Sequence, residues 1–176
     1  MNRLIKLAIA AILLPYGSCA LAIPNNLYLH GTLVEEPCTI KPGDEKVSLT
    51  FGPTPDKNLY AYGRTVSQDF EIKLSECDTS IGKSVKVTFS GTPNMALPGY
   101  LAIANTSTAS GFAVGIEYAD GTHLPIDQEG TKIALQDGST LLNFKAFIKG
   151  EPDAISNLNI KRGPFSAVAT FKLDYE

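Results

Sequence analysis

Apolar and polar residues alternate one by one through much of this chain. The last such run, Phe165, Ala167, Ala169, Phe171, Leu173 and Tyr175, stops one residue short of the C-terminus. A period of two marks a β-strand with one buried face. Chain ends usually fray and turn polar, yet here an apolar strand face continues to the end and no later strand follows to cover its edge. An uncovered apolar edge is an aggregation hazard and has to be paired or blocked. The sequence therefore predicts a sheet that lacks one strand.

The rest of the chain is read the same way. Leu27, Leu29, Gly31 and Leu33 alternate with Tyr28, His30 and Thr32. Further strands are expected at Val47–Phe51, Phe70–Leu74, Val85–Phe89, Leu101–Ile103, Phe112–Tyr118 and Leu142–Ile148, each bounded by turn residues. Asp120-Gly121 after Tyr118 is the strongest hairpin signal. Gly52–Gly63, with two prolines, reads as a loop. No window of 11 or more residues carries a 3.6-residue apolar stripe. Short strands at this spacing point to an all-β fold, an antiparallel sandwich of immunoglobulin-like type.

Met1–Ala22 has the build of a secretory signal: Arg3 and Lys6, an apolar run from Leu7 to Leu14, then small residues at Ala20 and Ala22. The run spans roughly 12 Å as a helix, too short for a bilayer core of roughly 30 Å, so no stable membrane span is expected. Cleavage after Ala20 is a second possibility. Acylation of Cys19 fits poorly with the preceding Tyr16-Gly17-Ser18. Cleavage after Ala22 leaves 154 residues (176 less 22) and removes Cys19, so Cys38 and Cys77 remain as one pair. In an exported protein an even pair reads as a disulfide. Closing a loop of about 39 residues is worth about 3–4 kcal/mol in the chain-entropy picture.

Other classes of function are poorly served. A net charge of −3, with 15 Lys+Arg against 18 Asp+Glu, gives no basic surface for nucleic acid. His123, flanked by Asp120 and Asp127, is a weak metal signal, and the reading places it and His30 in solvent. No nucleophile-elbow sequence is present, so no enzyme is expected and no cofactor is assigned. Asn105-Thr106-Ser107 matches a glycosylation sequon at background level. The residues leave two ways to complete the sheet. The N-terminal strand could fold back into its own domain, giving a self-complete exported binding module for carbohydrate or protein. It could instead be given to a neighbouring molecule.

Gly31-Thr32-Leu33-Val34-Glu35-Glu36-Pro37-Cys38-Thr39-Ile40 resembles the start of the pilins assembled by the bacterial chaperone–usher pathway. Ala167–Glu176 resembles their C-terminal strand, with its penultimate tyrosine at Tyr175. Phe70–Cys77, Val85–Phe89 and Ala96-Leu97-Pro98-Gly99 look most like the minor, adaptor-type pilins of P fimbriae, while Gly130–Lys161 and Gly52–Gly63 match nothing distinctive. The resemblance implies an incomplete immunoglobulin-like sandwich lacking its seventh strand. It divides the chain into a signal peptide (1–22), a donor-strand extension (23–36) and a pilin domain (37–176). A periplasmic chaperone would lend a strand beside Phe165–Tyr175. At the outer-membrane usher the extension of the next subunit would replace it, by β-strand addition. Leu27, Leu29 and Leu33 would be the donated knobs, and Gly31 would allow close backbone approach. The partners implied are the chaperone, the usher and neighbouring pilins, and the destination is the cell-surface fimbrium.

Overall fold

Six strands and two short helices follow one another in the computed structural model, which describes residues 28–176. Leu27, the expected signal segment Met1–Ala22 and Cys19 lie outside the described residues. The strands are β1 (Gln68–Cys77), β2 (Ser84–Gly91), β3 (Phe112–Tyr118), β4 (Ile133–Ala134), β5 (Gly138–Gly150) and β6 (Ala169–Tyr175); the helices are α1 (Lys57–Tyr62) and α2 (Pro152–Ser156). They form two antiparallel sheets, ordered β1-β5-β3 and β4-β2-β6. Residues from Glu35 onward make one compact unit. Residues 28–34, described by themselves, join no sheet.

Alternation decides which side chains meet between the sheets. Ile72 and Leu74 of β1 lie buried, while Glu71 and Lys73 face out and pair with each other at 3.4 Å. Across the ladders Ile72 opposes Leu142 and Phe70 opposes Phe144; Phe89 of the second sheet opposes Phe171. Phe70, Phe89 and Phe144 pack with ring centroids 5.1–6.0 Å apart. This aromatic contact joins the two layers at their centre, in the offset and edge-to-face arrangements that ring quadrupoles favour.

Cys38 and Cys77 form the expected disulfide, buried beside the core. Thr39 and Ser75 exchange two backbone hydrogen bonds of 2.8 Å next to it. The bridge ties the base of the N-terminal segment to the end of β1. Replacing both cysteines by serine is expected to cost about 2–5 kcal/mol of stability, read as a lower denaturant midpoint with an unchanged folded spectrum.

Several expectations need correction. Gly52–Gly63 is not all loop: Lys57–Tyr62 is helical and ends at Gly63, in the left-handed region at φ 73°. Six residues with only Leu59 buried are too few to show a helical stripe. Leu101–Ile103 is not a strand; Leu101 alone bridges Val114 and Pro93. The final run enters a ladder only at Ala169. Val47–Phe51 joins no ladder among the described residues. A strand needs a partner, and this segment has open space on both sides, as described below.

His123 is not in solvent. It stacks on Tyr100 at 4.3 Å, and its Nε2 is buried without a hydrogen-bond partner. This cluster covers the outer face of the β1-β5-β3 sheet. Gly115 leaves room there for the Phe147 and Tyr100 rings, which a Cβ would meet at 2.5 and 2.8 Å. The Arg64 guanidinium lies 3.4 Å above Phe147 and pairs with Glu117 at 3.0 Å; Ser67 also donates to Glu117. Glu117 is only 3% exposed, so these partners offset the desolvation of its charge. Burial holds the His123 pKa below its ordinary value, and the nearby Lys149 and Arg64 cations act in the same direction, with Glu117 opposing. The unfolded chain then binds a proton that the folded chain refuses. Stability is expected to fall as pH drops through the ordinary histidine range near 6.5 and to level off below the folded pKa. Urea titrations of His123→Gln should lose this part of the pH dependence.

Candidate functional site

The final strand is bonded along one side and bare along the other. The Pro164 and Ser166 carbonyls accept from Thr108 and Ala104 at 3.0 and 2.8 Å. The Glu176 N–H donates to Ser84 at 2.9 Å. Even-numbered backbone groups are thus spent on one side. Because these groups alternate direction along a strand, those of the odd-numbered residues from Phe165 to Tyr175 point to the opposite edge. No strand among the described residues pairs with that edge.

Beside that edge lies a groove of about 1110 Å³. Its walls are the Val47–Phe51 segment on one side and Phe165, Ala167, Ala169 and Phe171 on the other. Its floor is Leu101, Val114, Ile116 and Ala146, with Phe70, Ile72 and Phe89. The groove runs alongside Phe165–Phe171, the length of one short strand. A second cavity of about 300 Å³ separates the far side of Val47–Leu49 from Asp69–Lys73 of β1.

Four residues of the expected acceptor row, Phe165, Ala167, Ala169 and Phe171, line this groove together. Each is partly exposed, while Ser166, Val168 and Thr170 between them, and Lys172 after them, are exposed. Leu173 and Tyr175 continue the row beyond the groove and pack against the core that includes Val85, Val87 and Cys38. Burial raises the Tyr175 pKa. The strand end is pinned: the Glu176 carboxylate meets Lys132 at 2.5 Å and Lys86 at 2.6 Å, and Lys86 also reaches Glu129 at 3.3 Å. These hydrogen bonds lower the Glu176 pKa and raise that of Lys86. The floor residues escaped the sequence reading as site residues, because their alternation says only that they face the interior.

Of the expected donor residues, Leu29 is 82% exposed and Leu33 fully exposed, and a Cβ on Gly31 would meet nothing within 4 Å. Leu27 lies outside the described residues.

Residues 27–176 match the fimbrial protein family. The chain belongs to that family. This fimbrial protein is 30% identical to the putative minor fimbrial subunit PmfF of Proteus mirabilis, over 99% of both chains. It is 28% identical to the fimbrial adapter PapK of Escherichia coli, over 98% of this chain and 99% of that one. Among solved structures it resembles a chaperone–usher pilus subunit at a TM-score of 0.67 and 28% identity, covering 89% of this chain and all of the other. The two three-stranded sheets of this fimbrial protein are thus the immunoglobulin-like pilin fold, with the groove beside β6.

Proposed function

We propose that this fimbrial protein is a minor or adaptor-type structural subunit of a chaperone–usher pilus, exported to the cell surface and joined to its neighbours by strand addition. The groove beside Phe165–Phe171 accepts one strand, first from a periplasmic chaperone and then, at the outer-membrane usher, from another subunit. The 23–36 extension, with Leu27, Leu29, Gly31 and Leu33, is given in turn to a further neighbour. The role calls for no catalytic step. Similarity to PmfF, a putative minor fimbrial subunit, and to PapK, a fimbrial adapter, supports the minor or adaptor assignment. The observation that carries the reading is the bare edge of the last strand beside an apolar groove that runs the length of one short strand. A self-complete binding module would need that edge covered.

Main-chain pairing along the odd-numbered edge supplies affinity, and side chains at alternate positions fix the register. The test is refolding of the mature chain with and without extension peptides taken from fimbrial subunits. A cooperative thermal transition is expected only when a peptide is present. A cooperative transition after trimming residues 23–34, with no peptide added, overturns the proposal.

A further inference from the structure

We infer that His123 ties the groove to acidity: its protonation frees the Tyr100 loop, and with it Leu101 of the groove floor, so that the hold on a donated strand weakens in acid. The inference rests on the strand-accepting role and adds a regulation of that same site.

The connection is one residue long. Tyr100 covers Gly115 of β3 on the outer face of its sheet and packs edge-on against Phe147 of β5, with ring centroids 6.0 Å apart. The next residue, Leu101, turns inward, as alternation requires. It is 4% exposed, exchanges backbone hydrogen bonds of 2.8 and 2.9 Å with Val114, and lines the groove. Residues 94–100 move as a unit, because the Asn94 N–H donates to the Tyr100 carbonyl at 2.9 Å and the Asn94 side chain accepts from Ala96 and Leu97. Glu151 holds the far end through Asn94 at 2.8 Å. The near end has two fastenings to the turn that follows β3. The Gly99 carbonyl accepts from the Ile126 N–H at 3.0 Å, and the Tyr100 ring stacks on His123 at 4.3 Å. Gly99 lies in the left-handed region at φ 84°, pressed against Pro125 and His123.

The stack suits a neutral imidazole. Its buried Nε2 has no hydrogen-bond partner, so nothing in the closed loop is placed to receive a new N–H. The loop itself, residues 94–101, carries no charged side chain. From β5 comes Lys149, with Nζ 5.2 Å from the centre of the Tyr100 ring. From the segment before β1 comes Arg64, over Phe147. From β3 comes the anion Glu117, already engaged by Arg64 and Ser67. Burial opposes the charged imidazole most, Lys149 and Arg64 add to that, and Glu117 favours it. Lifting the loop returns the ring to water and removes the burial cost. The closed loop therefore binds the proton less tightly than the open one, and acid favours opening. A strand packed on Leu101 favours the closed loop, so by linkage acid weakens the strand and the strand resists the proton.

The experiment measures binding of an extension peptide, residues 24–36 of this chain or the corresponding segment of PapK, to the mature chain between pH 8 and pH 5. The Kd of the parent chain should rise as pH falls through about 6.5, by no more than about ten-fold per pH unit, the limit for one proton. In the complex the Leu101 and Ile126 amides should lose exchange protection over the same range while Phe144 of β5 keeps it. His123→Phe keeps a stacking ring without the titrating group; it should match the parent at pH 8 and fall short of its acid loss, with the remaining change, from the peptide's own groups, under about two-fold. The peptide's own groups titrate alike with both chains, so the difference isolates His123. Lys149→Gln leaves the imidazole in place and should show a smaller rise. An acid loss as large in His123→Phe as in the parent, or an unchanged rise in Lys149→Gln, overturns the inference and leaves strand addition standing. So does equal protection of Leu101 and Ile126 at both ends of the range. Failure of both peptides to bind at pH 8 removes the strand-accepting role and this regulation together.

Discussion

Leu33→Asp is expected to leave the subunit at normal abundance in its chaperone complex and to stop its addition to the growing fibre. Leu33 is fully exposed in the subunit, so the substitution removes no packing there, and surface changes of this kind stay within about 0.5 kcal/mol. The cost appears only when the residue is donated. An ionised carboxylate would then enter a groove lined by Phe165, Phe51 and Leu101. Burying a charge without a partner costs several kcal/mol, and each 1.4 kcal/mol is tenfold. Incorporation should therefore fall by about 100-fold or more. Leu33→Ala loses only the burial of one leucine, about 1.5–3 kcal/mol, or about 10- to 100-fold. Chaperone co-purification and fibre yield read the two steps separately. Normal fibre yield from Leu33→Asp would show that this position is not donated.

The contrast between these two states explains what was legible in the sequence. Alternation placed β1, β2, β3 and β5 correctly because each has partners within the chain, and burial of one face is all that a period of two reports. Val47–Phe51 carries the same pattern and forms no ladder, because pattern encodes the capacity to pair and not the presence of a partner. The alternation of the row that lines the groove was legible for the same reason: Phe165 to Phe171 alternates whether or not its edge is covered. The Arg64–Glu117–His123 cluster was not legible. Its members come from the segment before β1, from β3 and from the turn after it, and nothing local marks Gly115 as the position that admits two rings. α1 and α2 were missed because six and five residues bury one side chain each.

Removal of Leu173–Glu176 is the second change with a large expected effect, and it acts on the subunit itself. These four residues supply the pairs Val87 with Leu173, Lys86 with Asp174 and Val85 with Tyr175. Glu176 adds its N–H to Ser84 and accepts from Lys83 and Ser84 at 2.8–3.0 Å. Each such hydrogen bond is worth about 1 kcal/mol net. Leu173 and Tyr175 are partly buried against Val85 and Val87, and each contributes less than the roughly 1.5–3 kcal/mol of a fully buried side chain. The exposed ion pairs of Glu176 add little. A loss of roughly 4–7 kcal/mol would follow, against a typical stability of about 5–15 kcal/mol, in a domain already missing a strand. The deletion also shortens the edge that any donated strand pairs with. The truncated subunit is expected to be absent from chaperone pull-downs and depleted in the periplasm, whereas Glu176→Gln, which removes only the charge pairing with Lys86 and Lys132, should remain near normal. Unchanged capture of the truncated chain would mean that recognition lies elsewhere on the molecule, away from the bare edge of β6.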